Sequence, residues 1–422
     1  MAMAHEFHGQ ENLRGGAMSD GIPAGWSMSG VACGIRGSSG EPGRLDLAVW
    51  HSDRPASAAG VFTKNLVFAA PVAVCRQRLH GGHGHGFQAV VASSGNANAC
   101  TGERGLADAL EMTGAVEKRL GLSEGTALVA NTGVIGRFLP MEVIRPGIDQ
   151  ACQAADRRPQ SVENASRAIM TTDTRPKVSR RQMSLSSGET VHILGMAKGA
   201  AMIAPDMATM LSFLFTDAPV SPGVLHALLR RSSARTFNCL SIDGHMSTND
   251  TVLLLANGAA RPGQELHGPD LEHFAQAVEE VSADLAGAIA GDAEGATKLV
   301  YVEVEGMRKE SEARQIARAV ADSPLVKTAI YGADPNWGRI VSAAGYAGVP
   351  FDPSALALDL NGKVLYEKGS PTAFDPGEIS RFMRETNPLV FRLTFQEGSQ
   401  GCRLASCDLT PEYVRLNSDY TT

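Results

Sequence analysis

The chain has 422 residues, a formal net charge of −7, 43% hydrophobic residues and 20% charged residues. That length holds two or three domains, or one large layered domain with additions, and is enough for a sizeable core. The composition excludes a disordered chain, and the acidic balance argues against a general nucleic-acid binder.

The first twenty residues hold no continuous apolar run of the signal-peptide kind, and no segment reaches the roughly 18 apolar residues of a membrane span. Seven scattered cysteines form no CxxC pair, the usage of a reduced, cytoplasmic protein. Residues 1–22 are expected to be disordered. The Gly- and His-rich run His80–Gly86 lacks the spacing and the strand–helix context of a dinucleotide fingerprint and reads as a mobile loop. Gln88–Ala92 reads as a buried strand. Gly105–Leu120 carries Leu106, Leu110, Val116 and Leu120 near helical spacing. Ala127–Ala130 is a second short strand, followed by a Gly-bearing turn from Asn131 to Gly136.

The segment Lys198–Thr209 is built of small residues and Pro205, a poor helix and a poor strand. Met210–Phe215 directly after it reads as a fully buried strand. Residues 270–290 carry the clearest helical stripe, Leu271, Phe274, Val278, Val281, Leu285 and Ile289, with Asp270 as the expected N-cap and Gly291 as the stop. A strand at Lys298–Val304, helices at 311–321 and 376–386, and strands at 356–360, 389–395 and 402–409 complete the reading. Helices and strands intermix throughout, so the class is α/β or α+β in layers.

Thr209 stands where an irregular loop enters a core strand. By spacing alone it is a β-branched residue starting that strand. One chemistry suits the position. A Thr hydroxyl attacks the preceding carbonyl, the peptide becomes an ester, water cleaves it, and Thr209 keeps a free α-amine. That amine, with a reference pKa of about 7.7–8.0, then serves as base for its own hydroxyl.

Lys198-Gly199-Ala200-Ala201-Met202-Ile203-Ala204-Pro205-Asp206-Met207-Ala208-Thr209-Met210-Leu211 resembles the signature of the ornithine acetyltransferase (glutamate N-acetyltransferase) family. Ser94–Gly102, Asn131–Gly136, Met170–Thr174, Gly295–Lys298, Asp334–Arg339 and Asn417–Thr422 resemble further motifs of that family in the same order. The resemblance implies self-cleavage between Ala208 and Thr209, giving an α chain (23–208) and a β chain (209–422) that stay together as α2β2. It implies a layered α-β-β-α sandwich with a smaller C-terminal α/β subdomain at about 310–410.

The resemblance also implies an acetyl-Thr209 intermediate, with acetyl moving from N2-acetylornithine to L-glutamate in arginine biosynthesis. Thr132 and Gly133 match its oxyanion-hole positions. Thr171, Lys198, Glu294, Asn417 and Thr422 match its substrate-binding positions, together with Thr209. Lys198 suits a substrate carboxylate and Glu294 a side-chain ammonium. No metal and no cofactor is expected, only small amino-acid partners. Acetyl-CoA is a second donor in some members, although no long basic groove for its phosphates is visible here.

The sequence departs from the family pattern at Ala200-Ala201, at Asp206 and at His245-Met246, where Asp-Thr is common, which touches the identity of the acceptor. Ser247–Asp250 beside it reads as a core-proximal polar loop supporting the site. Two other readings compete: an amidase or aminopeptidase of the related self-cleaving fold, with water as acceptor, and a binding module whose chain stays uncut.

Overall fold

The computed structural model describes residues 21–37, 43–204 and 210–419. Two sheets organise them. The first is built from β1 (Trp26–Val31), β2 (Leu47–Phe62), β3 (His83–Asn96), β4 (Ala127–Val134), β5 (Lys177–Ser184), β6 (Thr190–Lys198), β7 (Leu211–Thr216) and β8 (Thr251–Ala256). Its order is β4-β3-β2-β8-β7-β6-β5, with β1 on β2. Most neighbours run antiparallel, but β3–β4 and β7–β8 are parallel.

The long strand β2 bends where its register against β3 slips between His51 and Ala56, as a bulge bends a strand. The sheet thereby folds onto itself. Trp50, in the first half of β2, packs tilted against Phe213 of β7 with ring centroids 4.7 Å apart, and Trp26 of β1 lies 4.7 Å from Phe215. Helices cover the two outer faces. On one side lie α1 (Ala70–Arg78), α2 (Gly102–Leu120), α3 (Met141–Ala154) and α4 (Pro159–Ala168), whose Val72, Met112, Val116, Ile144, Ile148 and Val162 join the same core as those rings. On the other lie α5 (Pro222–Arg235) and α6 (Gly268–Ala290), packed on Val191, Ile193, Leu214 and Leu254. The result is the layered α-β-β-α sandwich expected from the sequence.

Alternation explains how a continuous apolar strand serves both layers. In β7, Leu211, Phe213 and Phe215 enter the inner core, whereas Leu214 meets α5 and α6. Burial on both faces is why Leu211–Thr216 contains no charge. Helix starts are set by Pro71, Pro159, Pro222 and Pro269 within the first two helical positions, where a missing N–H costs nothing.

The second sheet has the order β12-β11-β10-β13-β9-β14. Its strands are β9 (Leu299–Met307), β10 (Ala357–Leu360), β11 (Lys363–Glu367), β12 (Ser370–Pro371), β13 (Leu389–Thr394) and β14 (Gln400–Cys407). It carries α7 (Glu310–Ala321), α8 (Pro324–Tyr331), α9 (Trp337–Gly345) and α10 (Pro376–Glu385) over its own hydrophobic core. A last helix, α11 (Pro411–Asp419), returns towards the sandwich. Among the described residues no helix is long and apolar enough to cross a membrane.

Three local expectations need correction. His80–Gly86 is a short 3-10 turn at His80–Gly82 followed by strand, with Gly84 opposite Ala58 and His85 opposite Ser57. A Cβ on Gly84 would lie 2.8 Å from the Phe87 ring, so the glycine answers crowding within a strand. Asn131–Val134 continues β4 rather than turning: Ser93 faces Asn131 and Ser94 faces Thr132. Helix α6 begins two residues before Asp270, with His267 as N-cap. The Asp270 carboxylate instead accepts the Ser186 N–H at 3.0 Å.

Candidate functional site

β4 and β6 lie on opposite sides of the strand order, yet the folded sheet brings their ends together. Lys198, the last residue of β6, is 3% exposed, and its Nζ lies 3.4 Å from Thr132 Oγ1 at the end of β4. Gly133 follows with φ 132°, and a Cβ there would sit 2.3 Å from the Gly95 carbonyl carbon. Only glycine allows β3 and β4 this close approach.

The polar loop 247–250 holds this corner. Asn249 Nδ2 donates to Ala97 O at 2.6 Å and to Asn131 O at 2.8 Å, tying the ends of β3 and β4. Thr63 Oγ1 donates to Ser247 O at 2.7 Å. Asp250 Oδ1 accepts the N–H of Met210, the residue attached to Thr209, at 3.2 Å. Asp250 Oδ2 is buried without a hydrogen-bond partner among the described residues. Burial pushes this carboxyl well above the ordinary carboxylate range, against the opposing Met210 amide.

Behind Lys198 lies a buried ionic triad that the sequence reading does not contain. Lys177 Nζ donates to Asp173 Oδ1 and to Asp292 Oδ2, both at 2.6 Å, and the three side chains are at most 5% exposed. Asp173 Oδ1 also accepts the Gly199 N–H at 2.7 Å, which fixes the turn out of β6. Asp292 Oδ2 accepts the Thr174 N–H at 3.0 Å. Burial alone would raise the Asp173 carboxyl, but Lys198, Lys177 and the Gly199 amide together hold it at about 2. Burial pushes the Lys198 ammonium below its ordinary value, with Asp173 opposing.

The sign of the resulting pH dependence follows. The Asp173 carboxyl is depressed from 3.8 to about 2 on folding, so its contribution is complete above the unfolded value. It is lost as pH falls from about 4 towards 2. At about 1.4 kcal/mol per unit the contribution is about 2 kcal/mol. Urea midpoints measured between pH 5 and pH 2 should fall more steeply for the native chain than for Asp173→Asn.

Thr171 lies in the turn before the triad. Its N–H donates to Asp173 Oδ2 at 3.0 Å, and its carbonyl accepts from Arg36 Nη2 at 3.2 Å and from Arg44. Glu294 follows Asp292; its N–H donates to Ala200 O at 2.8 Å and its Oε2 accepts from Asn417 Nδ2 at 2.9 Å. Asp243 anchors the segment after Lys198, accepting the N–H groups of Met202 at 2.6 Å and Ile203 at 2.9 Å. The hydroxyl of Tyr413 donates to the same carboxylate at 3.2 Å. Gly295, with φ 67°, lets α11 approach, because a Cβ there would lie 2.6 Å from the Tyr413 nitrogen.

Thus Thr132, Gly133 and Lys198 converge, while Glu294 and Asn417 form a second pair joined to them through the 199–204 segment. Ala208, Thr209 and Thr422 lie outside the described residues. Asp334–Arg339 is a capping motif in the second sheet's layer, where the Asn336 side chain accepts from Arg339 N at the start of α9. Among the described residues no group of three or more His, Cys, Asp or Glu side chains is placed to hold a metal ion.

Buried charged and polar side chains thus meet where strand ends of both sandwich layers come together. A model of the ArgJ family matches residues 27–422. The arginine biosynthesis bifunctional protein ArgJ of Symbiobacterium thermophilum is 45% identical, over 98% of this chain and 100% of its own. The protein of the same name in Thermosynechococcus vestitus is 43% identical, over 94% and 96% respectively. A solved ornithine acetyltransferase from Mycobacterium tuberculosis, complexed with ornithine, is 36% identical over 44% of this chain and 95% of that chain, with a TM-score of 0.38. The chain belongs to the ArgJ family, enzymes of arginine biosynthesis.

Proposed function

We propose that this enzyme moves acetyl from N2-acetylornithine to L-glutamate through an ester on Thr209, after cutting itself between Ala208 and Thr209. The observation that carries the reading is the convergence of Lys198 with Thr132 and Gly133 at one buried strand-end corner. The family membership of the whole chain supports the same reaction class. In this reading the α and β chains stay together, as α2β2.

The steps follow from the side chains. The free α-amine of Thr209 takes the hydroxyl proton as Oγ1 attacks the acetyl carbonyl. Thr132 and Gly133 stabilise the oxyanion of the tetrahedral intermediate. Collapse releases the ornithine amine, which takes the proton, and leaves acetyl-Thr209. The amine of glutamate then attacks that ester and regenerates the hydroxyl. Lys198 receives the substrate carboxylate, and Glu294 with Asn417 receives the ornithine ammonium. Thr171 and the C-terminal Thr422 complete the substrate contacts. The relatives' bifunctional names support a second donor, and acetyl-CoA is the one proposed here.

The decisive experiment incubates the enzyme with N2-acetylornithine, with and without glutamate. Beyond one ornithine per active site, continued release of ornithine only when glutamate is present, with acetylglutamate formed in equal amount, is expected. Equal consumption of acetylornithine without glutamate would establish water as acceptor and an amidase. Thr132→Ala removes the hydroxyl and should lower kcat by about 10²–10³-fold, the usual effect of a lost oxyanion donor; steady-state kinetics check it. A buried Lys198 binds a carboxylate only while protonated. KM for acetylornithine should therefore rise with pH below the ordinary lysine range, and Lys198→Met should remove that dependence.

A further inference from the structure

Seven cysteines without a CxxC motif predict a reduced protein, and none of the described ones is bonded. The fold nevertheless brings two together across the seam between the sandwich and the second sheet. Cys239 Sγ lies 3.8 Å from Cys402 Sγ, although 163 residues separate them in the chain. Cys239 ends the short 3-10 turn Phe237–Cys239 after α5. Cys402 lies on β14 where its register against β9 slips between Gln400 and Cys402. Cys239 is buried and Cys402 half-buried.

We propose that Cys239 and Cys402 form an oxidation site, a dithiol that peroxide converts into a reversible disulfide stapling the sandwich to the second sheet. One sulfur of the pair attacks a peroxide oxygen and the O–O bond breaks, giving a sulfenic acid, while the thiol proton leaves with the departing hydroxide as one water. The second sulfur attacks the first, the S–O bond breaks and a second water leaves with the remaining thiol proton. Two thiols lose two electrons, and hydrogen peroxide gains them. Forming the bond closes the gap between the sulfurs from 3.8 Å to the ~2.05 Å of a disulfide.

The surroundings favour this pair over the other buried thiols. Arg314 of α7, itself held by Glu310 at 2.6 Å, places its positive charge beside both sulfurs, and a nearby guanidinium favours the reactive thiolate. The hydrogen bond between the two sulfurs lowers the Cys239 thiol, against burial, and together with burial pushes the Cys402 thiol up, so the pair holds on to one shared proton between its sulfurs. Burial pushes Cys33, Cys75 and Cys152 up to about 12, and among the described residues no hydrogen bond joins any of them to a second thiol. Cys100 is exposed, but no hydrogen bond joins it to another thiol among the described residues.

The seam matters beyond the sulfurs. Ser241 N–H donates to Ala405 O at 2.9 Å, with Leu240 bridging Ala405, and Asp243 is two residues further on. A staple at Cys239–Cys402 therefore fixes the strand-like segment leading to the Asp243 anchor. Both cysteines follow residue 209, so the site does not depend on self-cleavage or on the proposed reaction.

The test uses the intact native protein treated with a small excess of hydrogen peroxide, quenched with catalase, alkylated and digested without reductant. A linked peptide joining Cys239 to Cys402, lost on treatment with dithiothreitol, is expected. A rise in Tm that Cys402→Ser lacks should accompany it. Alkylation of both cysteines after oxidation, or a Cys402 carried to sulfinic acid while Cys239 stays free, overturns the proposal. A Tm rise of equal size in Cys402→Ser or Cys239→Ala overturns it as well.

Discussion

Thr209→Ala leaves a single uncut chain of 422 residues that takes no acetyl group from acetylornithine. The expected loss in kcat is on the order of 10⁴-fold or more, as for other removed nucleophiles. Electrophoresis under denaturing conditions and intact mass measurement read both effects at once. The native protein should give two chains, one beginning at Thr209 and gaining one acetyl group in brief contact with donor. Thr209→Ser keeps a hydroxyl and should retain cleavage and part of the turnover. Cleavage of the alanine variant at the same bond would remove Thr209 as the nucleophile of the cut. Acetylation of that variant at another residue would move the ester elsewhere.

Lys177→Met should be the most damaging single change away from the nucleophile. It leaves the Asp173 and Asp292 carboxylates buried beside each other without the ammonium that both contact at 2.6 Å. Breaking a buried pair costs about 3–5 kcal/mol, because the remaining charge is uncompensated. The measurement is the urea midpoint at pH 7, with far-UV circular dichroism confirming the fold at low denaturant. A triple variant with Lys177→Met, Asp173→Asn and Asp292→Asn removes the charges together and should recover much of the loss. Turnover should not recover in parallel, because the amide that replaces the Asp173 carboxylate can accept only one of the Gly199 and Thr171 N–H groups that the carboxylate holds, beside Lys198.

How far the sequence foretells this arrangement depends on the range of the interactions involved. The stripe from Leu271 to Ile289 and the apolar run after Thr209 are local patterns, and both form the expected elements, α6 and β7. The Gly- and His-rich segment 80–86 misleads because Gly82 and Gly84 answer crowding, against His226 and against Phe87, and His226 lies far away in the chain. Asn131–Val134 looks like a turn because it is polar. It stays in the sheet because its polar groups find partners: Asn131 Nδ2 donates to Ser93 Oγ at 2.7 Å and its carbonyl accepts from Asn249.

The site divides in the same way. Thr132, Gly133, Lys198 and Glu294 come forward through family motifs rather than through periodicity. The Asp173–Lys177–Asp292 triad stays hidden because one of its bonds spans 115 residues. A signal for it exists in retrospect: Lys177 opens a strand with its side chain facing inwards, and a lysine there requires carboxylates nearby. The anchoring role of Asp243 is equally nonlocal, since it collects Met202, Ile203 and Tyr413 from two distant segments. The loop 247–250 is the exception, a polar cluster whose supporting role is legible from its composition and position.

The strand order carries one more consequence. β7 and β8, which follow Thr209, are inserted between β6 and β2, which precede it. Their outer ladders therefore join the two halves, Ile193 to Lys198 against Thr216 to Leu211, and Ser57 to Phe62 against Ala256 to Thr251. If the peptide is cut as proposed, the halves become different molecules interleaved like the fingers of two hands, and neither could leave without stripping two rows of backbone bonds. If the cut enzyme is ever denatured, however, recovery becomes an encounter between two chains. Renaturation of the mature enzyme should then depend on concentration, whereas the uncut Thr209→Ala chain should refold at a rate independent of dilution.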